Sequence, residues 1–129
     1  MKNRLLHGFV FLVFGIFMAH SFSLAQEKSD EELKKEYAPI LGEYAFDWNG
    51  QTFFLNFYVE GGALWADSGD GRPVTMKPAP ENTFEFIAED SVNGTFQFKF
   101  SKDDQGKYSV CQVINSGMGL DAQGKKKEL

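Results

Sequence analysis

Three stretches of the chain set an apolar residue at every second position: Phe53-Leu55-Phe57-Val59, Phe84-Phe86 and Phe96-Phe98-Phe100. A period of two belongs to a β-strand with one face turned to a core, not to a helix. Runs of this kind separated by Gly, Asn and Asp predict a small antiparallel β domain.

The turns set the strand registers. Asn49-Gly50 is a strong two-residue hairpin signal, because both central residues of that turn need positive φ. Folding there pairs Phe46 with Phe53 and Tyr44 with Leu55, so Tyr44, Phe46 and Trp48 share a face with Phe53, Leu55, Phe57 and Val59. Gly61-Gly62 makes a second hairpin, pairing Val59 with Leu64 on the inner face and Tyr58 with Trp65 on the outer one. A strand around Val74 and Met76 follows, broken at Pro78-Ala79-Pro80, and Thr83 to Ala88 reads as the fifth strand. At Asn93-Gly94 a three-residue loop, Val92 to Gly94, pairs Ala88 with Phe98 and Phe86 with Phe100; Gly94 takes a left-handed bulge position. This register keeps Phe84, Phe86, Phe96, Phe98 and Phe100 on one side. The inward face of the strand from Lys107 to Ile114 is open between Tyr108-Val110 and Cys111-Val113. Asn115-Ser116-Gly117 turns again. The total is seven strands, or eight with a weak one after Gly117, in an up-and-down barrel or curled sheet.

The first 25 residues read as a secretory signal: Lys2 and Arg4, then an apolar run from Leu5 to Ala19, then small residues at Ser23 and Ala25. Cleavage is expected between Ala25 and Gln26. The apolar run is short for a membrane span. The domain organisation expected is signal peptide 1–25, helical segment 26–40, β-barrel domain 41–120 and flexible tail 121–129. The helix has a capping box, Ser29-Asp30-Glu31-Glu32, with Leu33 and Tyr37 on one face and Pro39 as its stop.

The leader carries two of the 13 basic residues and none of the 18 acidic ones, leaving a net charge of −7 on the processed chain. That balance opposes nucleic acid or an anionic membrane surface as partner. His7 and His20 both lie in the leader, so the processed chain lacks His-dependent nucleophile pairs, His zinc sites and the commonest general base. Cys111 has no second cysteine to bridge and reads as a small buried hydrophobe.

The segment from about Leu41 to Gly117 resembles a small lipocalin-like domain of unknown function common at the C-termini of exported beta-lactamase-like serine hydrolases. The resemblance is carried in order by Leu41-Gly42-Glu43-Tyr44, Gly62-Ala63-Leu64, Pro73, Asn82-Thr83-Phe84, Phe96-Gln97-Phe98, Gly106-Lys107 and Asn115-Ser116-Gly117. It implies an eight-stranded barrel-like fold used as a binding or assembly module. The chain has no Ser-x-x-Lys motif and too few residues for the hydrolase, so no catalytic residue transfers to it.

Three candidate sites follow. The barrel interior, among Phe53, Phe57, Phe84, Phe86, Phe96 and Phe98, either holds an apolar ligand or is packed solid; so many rings on short strands favour the packed core. The outer aromatics Phe54, Tyr58 and Trp65 are either sheet-stabilising pairs, covered in part by Leu33 and Tyr37, or a ligand- or partner-binding patch. Asp67-Ser68-Gly69-Asp70-Gly71 has calcium-loop composition but fails the EF-hand frame at Ala66 and Lys77, and reads as a β-turn.

The expectation is a non-catalytic exported module, periplasmic or secreted, monomeric or weakly dimeric, without cofactor, metal or span after processing. It binds an apolar small molecule or an exported protein partner through Phe54, Tyr58 and Trp65 or the barrel mouth. The alternative is an assembly or regulatory subunit of a separately encoded exported serine hydrolase.

Overall fold

The computed structural model describes residues 28–79 and 84–128. The expected leader, residues 1–25, lies outside them. A helix α1 (Asp30–Tyr37) precedes eight antiparallel strands: β1 (Gly42–Trp48), β2 (Gln51–Glu60), β3 (Ala63–Asp67), β4 (Val74–Pro78), β5 (Glu85–Asp90), β6 (Gly94–Lys102), β7 (Tyr108–Asn115) and β8 (Leu120–Lys126). Each strand pairs with the next, and β8 pairs with β1, so the sheet closes into an up-and-down barrel. Closure pairs every strand on both sides, although the β4–β5 seam is short.

The first two hairpins have the registers their turns dictate. Phe46 faces Phe53 and Tyr44 faces Leu55; Val59 faces Leu64 and Tyr58 faces Trp65. Asn49 and Gly50 have φ of 53° and 77°, Gly61 and Gly62 of 60° and 79°, so all four occupy the positive-φ region such turns require.

The third hairpin corrects the expected register by two residues. Phe86 faces Phe98, Ala88 faces Phe96, and β5 runs on to Asp90, which faces Gly94. The Asp90 carboxylate causes the extension: it accepts the Val92 N–H (3.1 Å) and the Asn93 side-chain amide (2.8 Å), closing a turn over Ser91–Asn93. An even shift preserves the faces, so the inward set stays inward. Gly94 has φ +92°, the left-handed conformation expected of it. Phe84 has φ 63° and stands before β5, not within it, and Thr83 lies outside the described residues.

The expected alternatives for β7 divide at a bulge: Cys111 and Val113 face inward as one reading has it, whereas of the other pair Tyr108 joins the core and Val110 does not. Tyr108 pairs with Lys102 and Val110 with Ser101, leaving Ser109 as the extra residue. The bulge reverses the phase of alternation, so Tyr108 packs on the core below it while Cys111 and Val113 are buried above it.

The flexible tail expected from residue 121 is corrected as well. Asp121 to Lys126 belong to β8, whose inward residues are Leu120, Ala122 and Gly124. Small side chains suit this position, since the rings of neighbouring strands fill the space inside it.

The helix closes one end of the barrel. Its N-cap Ser29 accepts the Glu32 N–H at 3.2 Å. Asp30 accepts N–H bonds from Gly61 (3.1 Å) and Gly62 (2.6 Å), tying the first turn of α1 to the β2–β3 hairpin. Leu33 and Tyr37 therefore point into the barrel, and Tyr37 meets Phe86 edge-on at 5.4 Å. The aromatic set at this end packs edge to face: Tyr44 on Phe57 (5.3 Å), Phe57 on Phe100 (5.0 Å) and Phe86 on Phe100 (5.8 Å). The Tyr44 hydroxyl donates to the Ile40 carbonyl at 2.9 Å inside this core.

Candidate site at the open end of the barrel

The closed half is filled, but the other half is not. A cavity of about 370 Å³ opens between the β1–β2, β3–β4, β5–β6 and β7–β8 connections, at the end away from the helix. Its wall is apolar: Trp48, Phe53, Leu55, Ala66, Val74, Phe96, Phe98, Val113 and Leu120, with Met118 at the rim. The expected choice between a packed and a hollow interior resolves by halves. Phe57 and Phe86 are fully buried in the packed end, whereas Phe53 and Phe96 are half-buried and border open space. Phe53 stacks on Phe46 at 5.0 Å and Phe96 on Phe98 at 6.2 Å, so stacking along the barrel wall leaves the centre clear.

The polar rim is made of Gln51, Ser68, Asp70, Arg72, Asp90 and Asn93. Its frame comes from side chains that fold their own loops. Asp67 accepts the Gly69 N–H (2.8 Å) and Asp70 accepts the Arg72 N–H (2.9 Å), which makes the acidic segment a pair of side-chain-closed turns. Asn115, buried at the end of β7, donates its amide to the Asn93 carbonyl at 2.9 Å and holds the β5–β6 turn in place.

One seam of the barrel is short. β4 and β5 pair at two positions, Lys77 with Ile87 and Pro78 with Phe86, both toward the closed end. Toward the mouth, Arg72 bridges to Asp90 at 2.7 Å across the line where β4 and β5 diverge. The Asp90 carboxyl is held below the ordinary carboxylate range, first by the Val92 N–H, then by the Asn93 amide and the Arg72 guanidinium.

The outer aromatics lie elsewhere. Tyr58 and Trp65 are cross-strand partners as expected, both half-buried, and the Trp65 indole N–H donates to the Glu60 carbonyl at 2.9 Å. Phe54 stands four residues from Tyr58, roughly 13 Å along an extended strand. It is 45% exposed, with the Lys127 ammonium 5.0 Å above its ring. The three do not form one cluster. Nor do Leu33 and Tyr37 cover them, since both enter the core. Cys111 is fully buried between β6 and β8, and burial pushes its thiol pKa up, which leaves it protonated and unreactive.

The sequence pattern missed Arg72, Asp90, Leu120 and Met118 as neighbours of one cavity. Trp48 carried a signal: it is the last inward residue before a tight turn, hence at a barrel mouth. Among the described residues no group of three or more His, Cys, Asp or Glu side chains is arranged to hold a metal ion, and no helix is long and apolar enough to cross a membrane. The chain matches no family model, no curated protein and no solved structure.

Proposed function

We propose that this chain is a non-catalytic, exported binding module that takes a small apolar molecule into the open half of its barrel. The observation that carries the reading is the asymmetric filling: one end sealed by α1 and interlocked rings, the other an apolar cavity with a polar rim. Clefts of this size, mostly apolar with a few polar groups at the edge, are the usual form of small-molecule sites. The mouth thus replaces the outer aromatics as the favoured site.

The test is a hydrophobic-dye titration joined to native mass spectrometry of the purified protein. A saturable dye site or a retained ligand is expected. Val74→Trp, which fills the cavity from a half-buried wall position, should remove it while the circular dichroism of the barrel persists. Absence of both a retained ligand and a saturable site would overturn the reading.

The exposed ring of Phe54 favours a second reading, an assembly or regulatory subunit of an exported serine hydrolase. That reading requires co-purification of a hydrolase from the envelope fraction that Phe54→Ala or Trp65→Ala abolishes.

A further inference from the structure

We infer that the occupant of the mouth cavity carries a positive charge: an amine or quaternary ammonium on an apolar body. The inference rests on the cavity being a binding site and adds the chemistry of its ligand. Charge is sorted along the barrel axis. Every lysine among the described residues lies on the closed half: Lys28 before α1, two in α1, Lys77 near the end of β4, Lys99 and Lys102 in the second half of β6, Lys107 before β7, and Lys125–Lys127. The mouth half carries Asp47, Asp67, Asp70, Glu89, Asp90 and Asp121, with Arg72 as the one cation among its described residues.

Arg72 is already committed, since its guanidinium pairs with Asp90 at 2.7 Å. Asp70 also lines the cavity, accepts the Arg72 backbone N–H, and has no ion-pair partner among the described residues. The charges lining the cavity therefore sum to one negative, and the carboxylate outside the ion pair is Asp70. The wall of the same cavity presents the ring systems of Trp48, Phe53 and Phe96. An aromatic face attracts a cation through its quadrupole, most strongly for Trp. A low-dielectric cleft whose lining carries a net charge concentrates the opposite sign. Carboxylate and aromatic wall thus favour the same head group, and both disfavour a fatty acid.

Three probes with one tail test this: decyltrimethylammonium, decanol and decanoate, each below its micelle concentration. Trp48 fluorescence reports binding in a Trp65→Phe background. The cation is expected to bind about five- to tenfold more tightly than the alcohol, and decanoate more weakly than either. Added salt should shrink the difference. Asp70→Asn keeps the acceptor for the Arg72 N–H and should bring cation and alcohol within about twofold of each other. Equal affinities for all three probes would overturn the charge inference and leave the cavity reading standing. Tightest binding of decanoate would overturn it in favour of Arg72 as anchor. A preference that survives in Asp70→Asn would overturn the assignment of Asp70, and binding of no probe would overturn both the inference and the cavity reading.

Discussion

The ring of Phe46 lies flat over the backbone of Gly124. A Cβ built on Gly124 would stand 2.5 Å from Cδ2 and 2.6 Å from Cε2 of Phe46, which is fully buried and stacked on Phe53. Residues 46 and 124 are register partners across the β1–β8 seam that closes the barrel. Gly124→Ala should therefore destabilise the fold by about 1–3 kcal/mol through overpacking. Phe46→Leu in the same chain should recover part of the loss, as expected for residues in contact. Urea unfolding of the two single variants and the double variant measures it; strict additivity would mean the ring and the glycine are not coupled.

Tyr44 supplies a second prediction. Its hydroxyl is buried and bonded to the Ile40 carbonyl, so Tyr44→Phe should cost about 1–2 kcal/mol by leaving that carbonyl unpaired. Burial also raises the Tyr44 pKa above its ordinary value. A raised folded-state pKa contributes stability that is present below about pH 10 and lost as pH rises above it. Phenolate absorbance should accordingly show one tyrosine that ionises only as the barrel unfolds.

The tether of α1 can be cut at one residue. Asp30→Ala removes two acceptors from the N–H groups of Gly61 and Gly62, and the exposed setting limits the loss to about 1 kcal/mol. Amide exchange at Gly61 and Gly62 should accelerate while that of β6 and β7 stays slow. Unchanged exchange at the two glycines would show that the helix is held by Leu33 and Tyr37 alone.

Acid should loosen the mouth hairpin and the β6–β7 turn. Asp90 is held below the ordinary range chiefly by the Val92 N–H, and Asp103 chiefly by the Ser109 hydroxyl, followed by the Lys107 N–H. Depressed carboxyl pKa values give stability that is present above about pH 4 and lost as pH falls through the folded-state values. Asp103→Asn should flatten the fall of the melting temperature below that pH, and an undiminished fall would assign the acid sensitivity elsewhere.

Much of this architecture was legible because parity and turn chemistry spoke together. Asn49-Gly50 and Gly61-Gly62 each fix a register, and the alternation of Phe53, Leu55 and Phe57 fixes the face. Legibility failed where a side chain acts on a distant backbone. Asp90 lengthens β5 by capping the loop beyond it, and Ser109 shifts the phase of β7 without changing its composition. In β8 the inward positions narrow to Ala122 and Gly124 because Phe46 occupies the space their side chains would need, so a real strand reads as a tail. The cavity was hidden for a related reason: whether Phe53 and Phe96 fill the centre depends on which neighbours they stack against, and no periodicity encodes that.

The β1–β8 seam has a consequence for the order of events in folding. The first strand finds its second neighbour about eighty residues later in the chain, and loops of that length close slowly. Until Leu120–Lys126 is available, β1 and β7 each present a bare edge, open to pairing with any other extended chain. A chain that leaves the ribosome or a translocation pore N-terminus first must therefore wait with both edges unprotected. Its vulnerability to aggregation is concentrated in that interval, and it ends with the arrival of seven residues.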